Sequence, residues 1–380
     1  MNIDLKHEFP LKSDLVYLNH AAVGVWPRRT ADVVKAFAEE NMIQGATDYP
    51  RWMAVEKQIR ERLKRLLGAG SADDIALLKN TSEGLSLIAY GLDWRHGDNI
   101  VSTSQEFPSN RIVWESLEKR GVELRLADVS GDSPEAAMLA LCDERTRLLT
   151  VSSVQYGSGL RMHLNALGEF CRRESILFCV DAIQSLGALR FDVAACHADF
   201  VVADGHKWML GPEGLAVFYS RPEIRGQLNL MQYGWHMIKH AGDFDRKAWA
   251  PSETARRFEA GSPNMLCIQA LDASLSLFED AGMGNVEAAV LSNSAKLIDW
   301  VQNQAALELI TPAQADRHAG IVTFRHKELD AQSHGGLYRS LMKAGVICAN
   351  RAGGIRLSPH FYSDVSGFAP VWLRTIRECV

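Results

Sequence analysis

Two short apolar runs deliver the residue types best suited to chemistry. Ile176 to Val180 and Phe200 to Ala203 have the length and β-branched content of buried strands. Asp181 closes the first run, and Asp204-Gly205-His206-Lys207 closes the second. In open α/β sheets ligands sit just beyond the carboxyl ends of the strands, so this pattern aims a carboxylate and an amine at one small molecule. An amine held in a pocket condenses with an aldehyde, and a carboxylate across the site keeps a heterocyclic nitrogen protonated. Taken singly, each residue favours a plainer reading: Asp181 as the cap of the next helix, Lys207 as a solvated loop residue.

Pyridoxal 5′-phosphate needs both groups, the lysine for its aldehyde and the carboxylate for its ring nitrogen. The wider pattern is Val180-Asp181-Ala182-Ile183-Gln184, then Asp204-Gly205-His206-Lys207-Trp208, then Gly211-Pro212-Glu213-Gly214. It resembles the class V aminotransferases, fold type I pyridoxal phosphate enzymes that include cysteine desulfurases, selenocysteine lyases, isopenicillin N epimerase and kynureninase. Matching segments follow in the same order from about Tyr17 to about Tyr362. The resemblance implies an α/β fold whose large domain has a mostly parallel seven-stranded sheet flanked by helices, with a small C-terminal α/β domain. The expected divisions are 1–28 as a segment over the active site, 29–283 as the cofactor domain and 284–380 as the small domain. A homodimer with shared active sites is implied as well.

The same resemblance distributes roles. Lys207 and Asp181 are the catalytic pair, Gln184 bonds the cofactor's 3-oxygen, and His206 bonds its phosphate. Asn80-Thr81-Ser82-Glu83-Gly84 leads into a helical run, where backbone amides attract anions and Thr81 and Ser82 add hydroxyl donors. In isolation that segment is an ordinary helix cap. Phe107 stands where desulfurase-like relatives stack a histidine on the ring, whereas kynureninase has a phenylalanine in a similar Phe-Pro-Ser setting; an aromatic face there holds the ring without donating a proton. Ser152 is the expected contact in the loop beside the 3-oxygen, with Gln155 second. Ser262 takes the hydroxyl position that relatives reach across the dimer interface to the neighbouring phosphate.

On the substrate side, Arg356 matches the arginine that grips the α-carboxylate, a task suited to a planar fork. Asn19 and His20 lie in the segment expected across the mouth of the site, and simple turn hydrogen bonds explain them equally well. Asp204 replaces a serine common in relatives. A carboxylate repels a phosphate at short range, so Asp204 must turn away or bond a donor. Cys348 precedes Arg356 as the nucleophilic cysteine of desulfurases does, yet on an apparent strand and without the usual loop, and it reads as a packed thiol.

The elements that position these groups follow from periodicity. Ile75 to Leu78, Asn99 to Thr103, Val122 to Ala127 and Leu148 to Val151 read as strands, with Leu164 to Glu174 as a crossover helix. Thr30 to Leu67 alternates at helical spacing, as do Asn264 to Asp280 and Val286 to Gln304. Ile321 to Arg325, Val346 to Cys348 and Ile355 to Ser358 are the expected strands of the small domain, with a helix over Gly335 to Ala344. From Gln232 to Pro251 no periodicity holds, which marks a binding loop or a subunit contact.

Composition narrows the partners. The chain has 380 residues, 47% hydrophobic and 23% charged, with a net charge of -5. Dispersed basic residues give no footprint for nucleic acid. Seven cysteines, at 142, 171, 179, 196, 267, 348 and 379, form no CxxC pair and suit free thiols in a reducing compartment. No run reaches the length of a membrane span, so a cytoplasmic protein is expected, with no metal, and the resemblance implies an amino acid as its small-molecule substrate. With neither a desulfurase cysteine loop nor a stacking histidine, aminotransferase chemistry is the leading expectation. A C-S lyase is the alternative and kynureninase-like hydrolysis the third; a catalytically silent cofactor-binding protein is the non-enzymatic rival. A dehydrogenase is disfavoured, because no Gly-x-Gly-x-x-Gly follows any expected strand.

Overall fold

The computed structural model describes residues 3–376; Cys379 lies outside them. Thirteen strands occur in chain order among these residues. β1 (Val16–Tyr17) is followed by β2 (Ile75–Leu78), β3 (Asn99–Thr103), β4 (Glu123–Ala127), β5 (Thr146–Ser152), β6 (Leu177–Asp181), β7 (Phe200–Asp204) and β8 (Ala216–Ser220). Towards the C-terminus lie β9 (Leu307–Leu309), β10 (Val322–His326), β11 (Val346–Ile347), β12 (Ala349–Arg351) and β13 (Gly354–Leu357).

The large sheet has the order β2-β8-β7-β6-β5-β3-β4 and is parallel except at β8, which runs against both neighbours. All five residues of β7 are buried, and strand alternation divides them between the faces. Phe200 and Val202 join Ile88, Trp114 and Phe218 in one apolar cluster, while Val201 and Ala203 join Leu63, Leu67 and Leu271 in the other. A sheet covered on both faces offers a ligand only its strand ends, which puts the tips of β6 and β7 at the site.

Helices Arg28–Gln44 and Tyr49–Leu67 replace the single helical run expected over Thr30 to Leu67. The break falls at Gly45, with φ of 58°, and Pro50 opens the second helix. Buried Arg60 on that helix bonds Glu56 at 2.6 Å and both oxygens of Glu259, pinning the segment that leads to Ser262. His236 is buried beside the same carboxylates and anchors the irregular stretch expected between Gln232 and Pro251. That stretch has no helix or strand, and Tyr233, Phe244 and Trp249 stand exposed on it.

Helices Met265–Ala281 and Met283–Gln302 meet at Gly282. Beyond them an antiparallel sheet of order β12-β13-β10-β9 packs a third apolar cluster, including Val322, Phe324, Ile355, Leu357 and Trp372. Leu18 belongs to that cluster, and β1 pairs in parallel with β11. The N-terminal segment is thereby tied to the C-terminal part of the chain before it crosses to Lys207. No helix among the described residues is long and apolar enough to cross a membrane.

Candidate active site

Asp181 and Lys207 line one cavity of about 270 Å³. Larger clefts, of about 650 and 740 Å³, run along helix Leu164–Glu174 and beneath the other end of the sheet, and neither contains this pair. Asp181 is the last residue of β6, and its Oδ1 accepts the Ile183 N–H at 3.0 Å. Burial pushes its pKa up, and the nearby Glu106 and Asp204 add to the rise. Burial lowers the pKa of Lys207, Arg356 lowers it further, and the charge of Asp181 opposes both. No ion pair within 4 Å joins Asp181 to Lys207, so the two groups bracket a space instead of closing on each other. The Lys207 Nζ lies 5.5 Å from the centre of the Phe107 ring, which supplies the aromatic wall.

Close backbone approach shapes this corner. The Gly24 N–H donates to the His206 carbonyl at 2.6 Å, and a side chain on Gly24 would meet the Lys207 carbonyl oxygen at 2.1 Å. Gly84 does the same for the opposite wall, since a Cβ there would lie 2.7 Å from Val202. The helix Thr81–Gly91 can therefore press its start against β7.

That helix start is built for an anion. Asn80 caps it by accepting the Glu83 N–H, while the N–H groups of Thr81 and Ser82 have no acceptor within the helix. Thr81 Oγ1 accepts the Asp204 N–H at 3.1 Å, which leaves its own proton to donate. His206 adds a ring, its Nδ1 2.9 Å from Asp204 Oδ1, and neither atom has another partner. Asp204 thus faces an imidazole, which answers the repulsion expected of a carboxylate in this place. Gln184 donates to the Ala21 carbonyl at 3.0 Å and accepts from Trp208 Nε1 at 2.8 Å, keeping one amide N–H for the cavity.

Arg356 comes from β13 and is almost wholly buried. Its Nη1 donates to the Tyr156 carbonyl at 2.8 Å, its Nε has no partner, and burial pulls its pKa down. A buried, incompletely bonded guanidinium is a ready seat for a carboxylate.

The expected contacts thus divide. Thr81, Ser82, Phe107, Asp181, Gln184, His206, Lys207 and Arg356 share the cavity. Ser152 and Gln155 do not; they turn to Glu106, which accepts from Ser152 Oγ at 2.5 Å, from the Ser152 N–H at 2.8 Å and from Gln155 Nε2 at 2.9 Å. Asn110 Nδ2 completes that cage at 3.0 Å, and burial still raises the pKa of Glu106. His20 is also withdrawn, fully buried with its ring nitrogens on the Ser358 carbonyl and the Tyr362 hydroxyl. Asn19 is bridged to Ser358, and the cavity wall in this segment is Ala21 and Ala22. Ser262 is exposed on the single chain, away from the cavity. Tyr156, Ser109 and Arg351 line the cavity without having been singled out as site residues. Cys348 is 1% exposed, its thiol pushed up to about 12 by burial.

These groups fit pyridoxal 5′-phosphate: amides and hydroxyls at a helix start for the phosphate, Asp181 for the ring nitrogen, Lys207 for the aldehyde, and a buried unpartnered guanidinium nitrogen for the substrate. Comparisons agree. The family model for class-V aminotransferases matches residues 16–367. A probable cysteine desulfurase of Methanothermobacter thermautotrophicus is 28% identical over 95% of this chain and 94% of its own. The uncharacterized aminotransferase YcbU of Bacillus subtilis is 30% identical over 82% of this chain and 80% of its own. A structure of the cystine C-S lyase C-DES with its product cysteine persulfide superposes with a TM-score of 0.88 at 23% identity, covering 97% of this chain and 98% of that one, and shows the shared fold. The chain belongs to the class-V aminotransferase family and is a pyridoxal 5′-phosphate enzyme of fold type I.

Proposed function

We propose that the protein is a C-S lyase that eliminates sulfur from the β-carbon of an α-amino acid without passing it to a protein thiol. The observation that carries this reading is the burial of Cys348 on the β11–β12 connection, with its thiol pushed up to about 12. No cysteine lines the cavity among the described residues, so the persulfide relay of a thiol-dependent desulfurase has no acceptor among them. The desulfurase and cystine lyase names among similar proteins support C-S chemistry on this scaffold.

Bound between Asp181 and Lys207, the cofactor supplies the electron sink that weakens the bonds at the substrate's α-carbon. Thr81, Ser82 and His206 would hold the phosphate, Phe107 would pack against the ring, and Asp181 would keep the ring nitrogen protonated. Arg356 grips the α-carboxylate. Lys207 Nζ, freed when the substrate's amine takes its place on the aldehyde, would take the Cα proton. The Cβ–S bond then breaks with its electron pair leaving on sulfur, which takes up a proton. For a disulfide amino acid, cystine plus water gives cysteine persulfide, pyruvate and ammonia.

Three further readings rest on the same family likeness. The divisions 1–28, 29–283 and 284–380 serve as mouth segment, cofactor domain and small domain. The enzyme works as a homodimer, with Ser262 of each chain completing the other's phosphate seat, and the free cysteines suit the cytoplasm.

The test is product analysis of the holoenzyme with a panel of amino acids, with and without an added keto acid. Pyruvate and ammonia without a keto acid are expected. A new amino acid formed only when keto acid is present establishes transamination, the reading favoured by the name of the Bacillus relative. Alanine from kynurenine establishes kynureninase-like hydrolysis, alanine from cysteine establishes desulfuration through a thiol, and no turnover leaves a silent binding protein; each result overturns the lyase reading.

A further inference from the structure

The β12–β13 hairpin brings two guanidinium groups to the cavity, and only one has a place in the chemistry above. Pairing sets Ala349 opposite Arg356 and Arg351 opposite Gly354, so Arg351 lies two residues along the strand on the same face as Arg356. The turn between them is Ala352 and Gly353 alone, at φ of 50° and 74°. A tight turn with an alanine in the left-handed region holds the hairpin tip in one conformation. Gly354, opposite Arg351, has no side chain to compete for the space.

Charge accounting leaves Arg351 over. The phosphate has the helix start and His206, the ring nitrogen has Asp181, the aldehyde has Lys207, and the α-carboxylate has Arg356. Asp204 is engaged with His206 at 2.9 Å. Arg351 forms no ion pair among the described residues; its recorded hydrogen bond is from Nη1 to the neighbouring Asn350 carbonyl at 2.8 Å. It is exposed at the mouth, yet close enough that its charge disfavours protonation of both Lys207 and Arg356. Phe107 and Tyr156, edge to face with ring centres 5.2 Å apart, line the same cavity as Lys207 and Arg351. A substrate side chain held in that cavity has an aromatic wall and a second cation beside it.

We propose that Arg351 is a specificity residue for an anionic group at the far end of the substrate, so that the preferred amino acid carries a second carboxylate beyond the scissile sulfur. The sulfur in that statement rests on the lyase reading; the second anion does not.

The experiment compares S-carboxymethyl-L-cysteine with S-ethyl-L-cysteine, which differ in the distal carboxylate. It follows both pyruvate release and the change in cofactor absorbance on titration of the holoenzyme. Wild type should favour the acidic substrate in kcat/KM by roughly 10- to 100-fold, the worth of one charge-assisted hydrogen bond, mostly through KM. Arg351→Gln should bring the ratio close to one, and Arg351→Lys should restore part of it. The wild-type preference should also shrink at high ionic strength, a readout that stands even if the variants lose cofactor. Equal kcat/KM for both thioethers in wild type, or an Arg351→Gln ratio like that of wild type, overturns the proposal and leaves the lyase reading in place. Absence of pyruvate from both, with tighter absorbance titration by the acidic one, sinks the lyase reading and leaves Arg351 its role.

Discussion

The two walls of the cavity are made differently. The cofactor wall comes from the tips of β6 and β7 and the start of the helix Thr81–Gly91, elements buried in the large sheet. Several of its polar groups are tied to neighbours, Asp181 to Ile183, Thr81 to Asp204 and Gln184 to Ala21 and Trp208, while Asp204 Oδ1 and His206 Nδ1 face each other at 2.9 Å without a hydrogen-bond partner. The substrate wall hangs on the hairpin of the small sheet and on loops. It includes the exposed Arg351 and the Arg356 guanidinium, whose Nε has no partner. Both walls keep bonding capacity: the helix start, Thr81 Oγ1 and Gln184 have donors left for the cofactor, and Arg356 Nε has one left for the substrate. In the proposed mechanism the large sheet carries the groups that open the reaction, and the hairpin those that select its substrate.

The contrast breaks most visibly at its fixed point. Lys207→Ala should lower kcat by about 10²- to 10⁴-fold or more, the range for a positioned proton carrier, and borohydride should no longer fix the cofactor to the chain. A variant that keeps its rate, or a different lysine carrying the fixed cofactor, would move the catalytic base elsewhere. Asp181→Asn should come next. An opposing charge holds a proton by roughly 1–3 pKa units, so turnover should fall about 10- to 1000-fold while cofactor still binds. A near-normal rate would mean that Asp181 does not face the ring nitrogen.

On the substrate side, Arg356→Gln should raise KM by roughly 10- to 100-fold, with a smaller change in kcat, because it removes a charge-assisted grip formed on binding. A fall confined to kcat would show that the α-carboxylate is held by another group. Asp204→Asn sharpens the comparison from within the cofactor wall. It removes the charge beside His206 and should weaken cofactor affinity by about tenfold, read by absorbance titration of the apoprotein. Tighter binding would show that repulsion of the phosphate outweighs support of the imidazole.

How far each wall could be read from sequence follows the same division. Asp181 and Lys207 follow apolar runs with a strand's composition, and a strand tip in a parallel sheet is a known address. Thr81 and Ser82 sit in a local cap signal, legible without tertiary contacts. Other contacts, on both walls, depend on residues far apart in the chain. Ser152 and Gln155 left the expected site because Glu106, from the turn after β3, gathers them, and no local pattern shows which donors a buried carboxylate will collect. His20 was lost to Ser358 and Tyr362, far along the chain. Arg351 escaped notice because its facing depends on hairpin register; the Ala-Gly-Gly that follows it was the available signal for a tight turn. In the fold, the six large-sheet strands β2 to β7 were readable, whereas the three-residue β9 offered too little pattern and the antiparallel setting of β8 depends on its distant partner β2.

The claim that sulfur leaves without a protein thiol is tested most directly by Cys348→Ala supplied with L-cystine, with pyruvate, ammonia and alanine measured against wild type. Its thiol, pushed up to about 12, would be thiolate in roughly one molecule in ten thousand at about pH 8. The account predicts equal pyruvate and ammonia from both proteins, within about twofold, with stability lower by about 1 kcal/mol from the small cavity. Loss of turnover in a folded, cofactor-loaded variant, or alanine as the wild-type product, would contradict it.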